Sequence, residues 1–179
     1  MSEYSAMATS AQARFLSSRS PFVYSSETLT ATRTMRIAIA SDERTTLTDH
    51  IIANLKERGH ALAPFGPLAG LDQQWPEAGR SVGQAVANGA VDEGIVLCWT
   101  GTGVSIAANK VAGIRAALCA DAETARGARL WNRANVLALS LRLTTPALAD
   151  EILTAWFDTP LGEDPDDQAC VDRLEPSPA

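Results

Sequence analysis

Short, continuously apolar runs alternate with amphipathic runs along most of this chain. Continuous apolar runs are typical of strands buried on both faces of a parallel sheet, since a sheet with one wet face alternates apolar and polar positions. The pattern predicts five strands, at residues 35–40, 60–65, 94–98, 114–119 and 135–139. It predicts helices between and after them, at residues 47–58, 75–88, 104–109, 123–130 and 146–157.

Strands that alternate with helices predict an α/β fold. With right-handed crossovers, the elements form a Rossmann-like three-layer α/β/α sandwich around a five-stranded parallel sheet. Ligands of such folds bind at the carboxyl ends of the strands. The polar residues expected at that edge are residues 41–43, the run from Cys98 to Gly103, and Asp121.

Two segments fall outside this pattern. Residues 1–34 are rich in Ser, Thr and Ala and hold no apolar core of a secretory signal, so we expect a disordered extension or an upstream start, with a transit peptide as the alternative. Residues 35–158 then form the α/β domain. Residues 159–179 are acidic and proline-rich, and we expect a solvated tail that becomes ordered, if at all, in an oligomer.

Composition narrows the function classes. The net charge of −6 argues against nucleic acid as a partner, because phosphate backbones require a basic patch. No apolar run reaches the length of a membrane span. Three cysteines without metal-type spacing are typical of reduced thiols, so we expect a cytoplasmic protein. His50 and His60 are the only histidines and lie apart, which disfavours a zinc site or a Ser-His-Asp triad.

The glycine-rich turn after the third predicted strand is the main candidate for chemistry. It runs from Cys98 through Thr100-Gly101-Thr102-Gly103 into a helix. A strand that ends in such a turn points several backbone N–H groups at one spot, and these groups with the helix dipole favour an anion. Cys98 lies at the mouth of this turn, where a thiolate would be stabilised too.

Residues 98–110 resemble the ribose-5-phosphate isomerase B and galactose-6-phosphate isomerase family, whose members carry Cys-Gly-Thr-Gly before a Ser-Ile-Ala-Ala-Asn-Lys-type helix. Trp99 replaces the usual glycine, and the resemblance extends over about residues 35–157. It implies a carbohydrate-metabolism enzyme that interconverts aldose and ketose forms of a sugar or sugar phosphate through an enediolate. It also implies that no metal or other cofactor is needed, and that the protein is a homodimer, or a tetramer.

The resemblance assigns roles to individual residues. Cys98 would be the base, Thr100 would relay a proton, and Asp42 would bind or deprotonate a ring hydroxyl. The backbone N–H groups from Gly101 to Val104 would hold the enediolate oxygen. The expected substrate-binding residues are Glu43, Trp75, Gly101, Thr102, Gly103, Val104, Trp131, Asn132, Arg133 and Arg142.

The departures from the family bear on the substrate. Glu43 and Trp131 stand where the family has histidines, one of which opens the sugar ring. The tail lacks the family's phosphate-binding arginines, a charge that Arg126, Arg129 or Arg133 could supply instead. We therefore expect an open-chain substrate, such as a four-carbon ketose phosphate.

Three tryptophans, Trp75, Trp99 and Trp131, suggest that the site is an enclosed apolar pocket.

Two alternative functions remain open. One is a non-catalytic sugar-phosphate-binding or regulatory protein. Another is a nucleotide-binding domain, which is disfavoured because the turn lacks the G-x-G-x-x-G spacing and a Walker lysine.

Overall fold

The computed structural model describes residues 34–174. The prediction for residues 1–34 therefore lies, except for Thr34, outside the described residues. Five parallel strands form one sheet in the order β2-β1-β3-β5-β4, which confirms the expected Rossmann-like α/β/α sandwich. The strands are β1 (Arg36–Ser41), β2 (Ala61–Phe65), β3 (Glu93–Cys98), β4 (Ala116–Leu118) and β5 (Val136–Ser140).

Helices connect these strands as the sequence pattern predicts, with ends that differ by a few residues. A 3-10 turn, Gly66–Ala69, follows β2. The helices are α1 (Thr46–Glu57), α2 (Trp75–Ala87), α3 (Thr102–Ala108), α4 (Ala122–Asn132), α5 (Pro146–Asp158) and α6 (Pro165–Asp172). No helix in this part of the chain combines the length and hydropathy that crossing a bilayer requires.

Side chains of each strand alternate between two apolar cores, one on each face of the sheet. In β1, Ile37 and Ile39 face the core beneath α1, α4 and α5, whereas Ala38 and Ala40 face the core beneath α2 and α3. The second core has small residues, so its helices approach closely. A Cβ atom on Gly79 of α2 would lie 2.7 Å from the Cβ atom of Ala107 in α3.

The C-terminal segment holds a helix that the apolar pattern did not predict. Asp164 caps α6 by accepting hydrogen bonds from the backbone N–H groups of Asp166 and Asp167, and Pro165 occupies the first turn. These residues form a start signal that the sequence does contain. Val171 is buried, and α6 packs on α4 of the same chain. Within the described residues, the segment is thus folded on its own domain.

Candidate active site

The carboxyl ends of β1 and β3 form the crevice of this sheet. From β1 the chain crosses to β2 on one side, and from β3 it continues on the other, so this is the point where strand order reverses. Such switch points are where open α/β sheets bind ligands. Ser41 pairs with Leu97, so that Asp42 and Cys98 follow the last pair of the ladder side by side.

Cys98 shares one face of the sheet with alternate residues of β1. Cys98 belongs to the core beneath α2 and α3, as do Ala38 and Ala40 in β1. Asp42 follows Ser41 in the bend that leaves β1. The fold therefore places two of the three residues to which the sequence assigns catalysis at the ends of neighbouring strands.

Backbone contacts with the end of β5 hold the turn after Cys98. Leu141 N–H donates to the Cys98 carbonyl oxygen at 3.0 Å, and Arg142 N–H donates to the Trp99 carbonyl oxygen at 3.0 Å. The Ser140 hydroxyl donates to the same Trp99 oxygen at 2.9 Å. Three bonds thus fix where the turn presents Cys98, and they place Arg142 at this edge of the sheet with an exposed side chain.

Gly101 is required by the geometry of the turn. Its φ of +75° lies in the left-handed region, and a Cβ atom would lie 2.5 Å from Leu118 Cδ1 and 2.9 Å from the Leu139 carbonyl oxygen. Any side chain would therefore push the turn away from β5. Only glycine fulfils both conditions.

The backbone N–H groups expected to hold an anion are only partly available. Gly101 N–H already donates to the Cys98 carbonyl oxygen at 3.1 Å inside the turn. The N–H groups of Thr102, Gly103 and Val104 open the first turn of α3, and they have no acceptor among the described residues. Thr100 lies exposed on the turn.

The Asp42 carboxyl group has a raised pKa. Its Oδ1 atom is buried and has no hydrogen-bond partner within residues 34–174. Burial raises the pKa of its carboxyl group, and the negative charge of Glu43 raises this pKa further. Glu43 is itself exposed. A carboxyl group whose pKa is shifted towards neutrality is suited to acid–base work.

Trp75 forms one side of the site. Its indole ring packs on the backbone of Gly103, where a Cβ atom would lie 2.9 Å from two ring atoms. The ring is 42% exposed, and Trp99 on the turn is 61% exposed. The expected enclosed pocket is thus not formed within a single chain, and Trp131 does not line it.

Three of the expected substrate-binding residues, Trp131, Asn132 and Arg133, lie at the opposite edge of the sheet. Helix α4 returns from the carboxyl end of β4 to the amino end of β5, and these residues stand where it finishes. Arg133 Nη1 donates to the Gly162 carbonyl oxygen at 2.6 Å. Within one chain, these residues and Cys98 do not meet.

Arg129 of α4 does not supply the missing phosphate charge. Arg129 is buried, and its guanidinium lies 2.7 Å from the Glu93 carboxylate and stacks over Trp156 with 4.9 Å between guanidinium carbon and ring centroid. Arg126 lies 3.5 Å from the exposed Glu123 carboxylate. The suggestion that Arg129 binds a phosphate is therefore wrong, because its charge is already neutralised inside the fold.

Two other groups that the sequence places at the carboxyl edge have structural roles. Asp121 caps α4, and its bonds to Thr124 lower the pKa of its carboxyl group. Cys119 is buried, and burial raises the pKa of its thiol to about 12. Neither group is suited to act as a base at neutral pH.

A cavity also lies at the opposite edge of the sheet. It has a volume of about 610 Å³ and is lined by residues that include Lys110, Arg115 and Asn132. It does not reach Cys98, so its size says nothing about the crevice. Within residues 34–174, no three His, Cys, Asp or Glu side chains come together as metal ligands would.

Sequence reasoning missed Gln73, which lies in the loop before α2. Its side-chain Oε1 atom is buried and has no partner among the described residues. The atom lies beside the backbone of Gly66, on the side where Ser41 ends β1. Only its place two residues before Trp75 could have drawn attention to it.

Comparisons with known proteins identify relatives of this chain. The model of the family described as Ribose/Galactose Isomerase matches residues 37–174. Ribose-5-phosphate isomerase B of Escherichia coli is 41% identical over 123 residues, which cover 68% of this chain and 83% of that protein. D-erythrulose-4-phosphate isomerase of Pectobacterium atrosepticum is 39% identical over 120 residues, 66% of this chain and 76% of that protein. The structure of ribose-5-phosphate isomerase B from Clostridium thermocellum superposes with a TM-score of 0.73 at 39% identity, and it covers 78% of this chain and 95% of that one.

Proposed function

The chain belongs to the ribose/galactose isomerase family, and we propose that it interconverts the aldose and ketose forms of a sugar phosphate with Cys98 as the base. The observation that carries the proposal is the position of Asp42 and Cys98 directly beyond the last pair of the β1–β3 ladder, at the switch point and beside a turn that β5 holds in place.

The reaction moves one proton between neighbouring carbons. The Cys98 thiolate removes the proton from the carbon next to the carbonyl group, which leaves an enediolate, and the thiol then returns the proton to the other carbon. The N–H groups of Thr102, Gly103 and Val104 favour the negative oxygen of this intermediate. Asp42 takes the proton from the hydroxyl group that becomes the new carbonyl and delivers it to the oxygen of the former carbonyl, and Thr100 hydrogen-bonds the substrate.

Solvent deuterium tests this assignment. Incubated in D₂O with a ketose phosphate, the protein should produce the aldose phosphate with deuterium on C2, the carbon that was the carbonyl of the ketose. Cys98→Ser should keep the fold and reduce turnover about 10²–10⁴-fold, because a hydroxyl is a far weaker base than a thiolate. The matched control is Cys119→Ser, which removes a thiol outside the crevice. Binding of the sugar phosphate without deuterium exchange would indicate the alternative function, a non-catalytic sugar-phosphate-binding protein.

We further propose that the substrate enters in its open-chain form. His60 packs on Phe157, and His50 bonds Asp150 of α5 at 2.8 Å, so both imidazoles belong to the sheet face opposite Cys98. Within one chain, neither imidazole is then at the crevice to help open a sugar ring. The kcat/KM for erythrulose 4-phosphate should exceed that for ribose 5-phosphate, and the reverse order would refute the proposal.

A homodimer with its site between two copies is the arrangement that we propose for Trp131, Asn132 and Arg133. They stand at the edge opposite Cys98, so only a second copy can bring them to the crevice. Mixing inactive Cys98→Ser and Asn132→Ala proteins should restore up to about a quarter of the wild-type activity, because half of the dimers then hold one intact site. Activity that stays at the level of the separate variants would refute the shared site.

The cytoplasm is the location that we propose. Cys98, Cys119 and Cys170 are all unpaired, and reduced thiols persist in reducing compartments. Cell fractionation with detection of the chain in the cytosolic fraction tests this location.

A further inference from the structure

Two buried acceptor atoms near the end of β1 have no donor among the described residues. They are Oδ1 of Asp42 and Oε1 of Gln73. A buried polar atom without a partner costs free energy, so native proteins keep such atoms mainly where a ligand or water satisfies them. Of all buried side-chain polar atoms in residues 34–174, only four lack partners, and the other two belong to His60 and Arg129.

The loop geometry places Gln73 beside the crevice. A Cβ atom on Gly66 would lie 3.2 Å from the Ser41 carbonyl oxygen and 3.3 Å from Gln73 Oε1, so both atoms border the same small space. Asp42 is the next residue after Ser41. Two residues beyond Gln73, the Trp75 ring packs on Gly103 at the start of α3. The loop thus runs from the end of β1 to the turn that follows Cys98.

We infer that Gln73 is a substrate-binding residue that, with Asp42, hydrogen-bonds hydroxyl groups along the carbon chain of the substrate. The inference rests on the proposed function, since it takes the crevice as the sugar-phosphate site. A polyhydroxylated chain is the ligand that suits two separate acceptors, because each of its hydroxyl groups can donate one hydrogen bond. A hydroxyl group also accepts, so it pairs with either end of the Gln73 amide.

The inference predicts selection for the internal hydroxyl groups of the substrate. A ligand with hydroxyl groups along its chain satisfies both acceptors, whereas a deoxygenated chain leaves them buried without a partner. Sites of this kind reject the analogue that lacks the hydroxyl. Gln73 should therefore contribute to the affinity for hydroxylated chains and nothing to the affinity for deoxygenated ones.

Calorimetric titration with two unreactive ligands tests this without turnover. The ligands are erythritol 4-phosphate, a polyol without a carbonyl group, and 4-hydroxybutyl phosphate, which lacks the two internal hydroxyl groups. Gln73→Met keeps the size of the side chain and removes the amide. It should weaken erythritol 4-phosphate about three- to tenfold, the range for one hydrogen bond, and leave 4-hydroxybutyl phosphate unchanged.

The control is Gln74→Met, because Gln74 is the exposed neighbour whose side chain makes no capping bond to α2. It should change neither affinity. The melting temperature of Gln73→Met should equal or exceed that of the wild type, since a buried amide without a partner is removed.

The outcomes separate this inference from the proposed function. Equal weakening of both ligands, no weakening of either, or no binding of erythritol 4-phosphate to the wild type overturns the role of Gln73, even if the protein isomerises sugar phosphates. Selective weakening in a protein that exchanges no deuterium supports the role of Gln73 and refutes the isomerase.

Discussion

Replacing Arg129 by methionine should destabilise the fold and leave substrate binding unchanged. Arg129 Nη2 lies 2.7 Å from a Glu93 carboxylate oxygen, and Nη1 donates to the Ala134 carbonyl oxygen at 2.8 Å. The other Glu93 oxygen accepts from Trp156 Nε1 at 2.6 Å. Methionine keeps the apolar contact with the Trp156 ring but removes the charge. Glu93 then stays buried without a cation.

The magnitude follows from the burial of the pair. The side chains of Arg129 and Glu93 are 9% and 8% exposed, so neither charge is solvated after its partner is removed. Breaking a buried ion pair in this way costs about 3–5 kcal/mol. For a domain of this size, that loss lowers the melting temperature by roughly 10 °C or more. The exposed pair of Arg126 and Glu123 provides the control, since Arg126→Met should cost less than about 0.5 kcal/mol.

The loss should also depend on pH. Burial already raises the pKa of Glu93, and the Arg129 charge lowers it, so the variant raises it further. With a raised pKa, the folded state retains the Glu93 proton after the unfolded state has released it. The free energy of unfolding contributed by this group therefore falls as pH rises above the ordinary value of 4.5, until the folded pKa is passed. The deficit of Arg129→Met should be larger at pH 8 than at pH 5.

Urea denaturation at both pH values measures the deficit, and the KM for a sugar phosphate at low temperature reports on substrate binding. Adding Glu93→Gln to Arg129→Met should recover part of the stability, because no unpaired charge then remains. A variant of near-wild-type stability with a raised KM for sugar phosphates would refute this reasoning and would indicate that Arg129 binds the substrate phosphate.

Three further predictions concern the crevice. Asp42→Asn should raise the free energy of unfolding at pH 7, because the raised pKa of Asp42 means that folding disfavours its charge. The same variant should reduce turnover about 10²–10⁴-fold. A lower free energy of unfolding, measured by urea titration, would contradict the first expectation. Gly103→Ala should reduce kcat/KM, because its Cβ atom would lie 2.9 Å from the Trp75 ring and displace the ring. The double variant with Trp75→Ala should lose little more kcat/KM than Trp75→Ala alone. Additive losses of kcat/KM would refute the contact. Iodoacetamide should modify Cys98 before Cys119, whose thiol pKa is about 12, and substrate should protect Cys98. Peptide mass spectrometry measures the order of modification. Modification of Cys119 before Cys98 would contradict this prediction.

Regular elements were predictable because local patterns determine them. The continuous apolar runs of β3 and β5 identify buried parallel strands, and the Gly101 turn is recognisable from its residues alone. The apolar pattern does not predict helix α6, because α6 buries only Val171 and therefore has no apolar stripe. Its stability depends on its cap and on the surface of α4, and neither produces a periodic pattern.

The role of a candidate residue could be predicted where it depends on the local sequence, and could not where it depends on residues distant in the chain. Cys98 and Asp42 could be predicted as a pair because parallel strands present their carboxyl ends at one edge. The sequence places Arg129 on a helix but does not show that Glu93, distant in the chain, neutralises it. The burial of Gln73 depends on Gly66 and the end of β1, which no spacing along the chain reveals.

By itself, the sequence determined the parallel α/β architecture, the glycine turn and the family, because each depends on residues close together in the chain. Only the tertiary structure decided which polar groups are neutralised, which are buried without partners, and which edge of the sheet each occupies. Those properties depend on through-space distance and exclusion of water. For this reason Trp131, Asn132 and Arg133, which the sequence groups with Cys98, lie across the sheet from it within one chain.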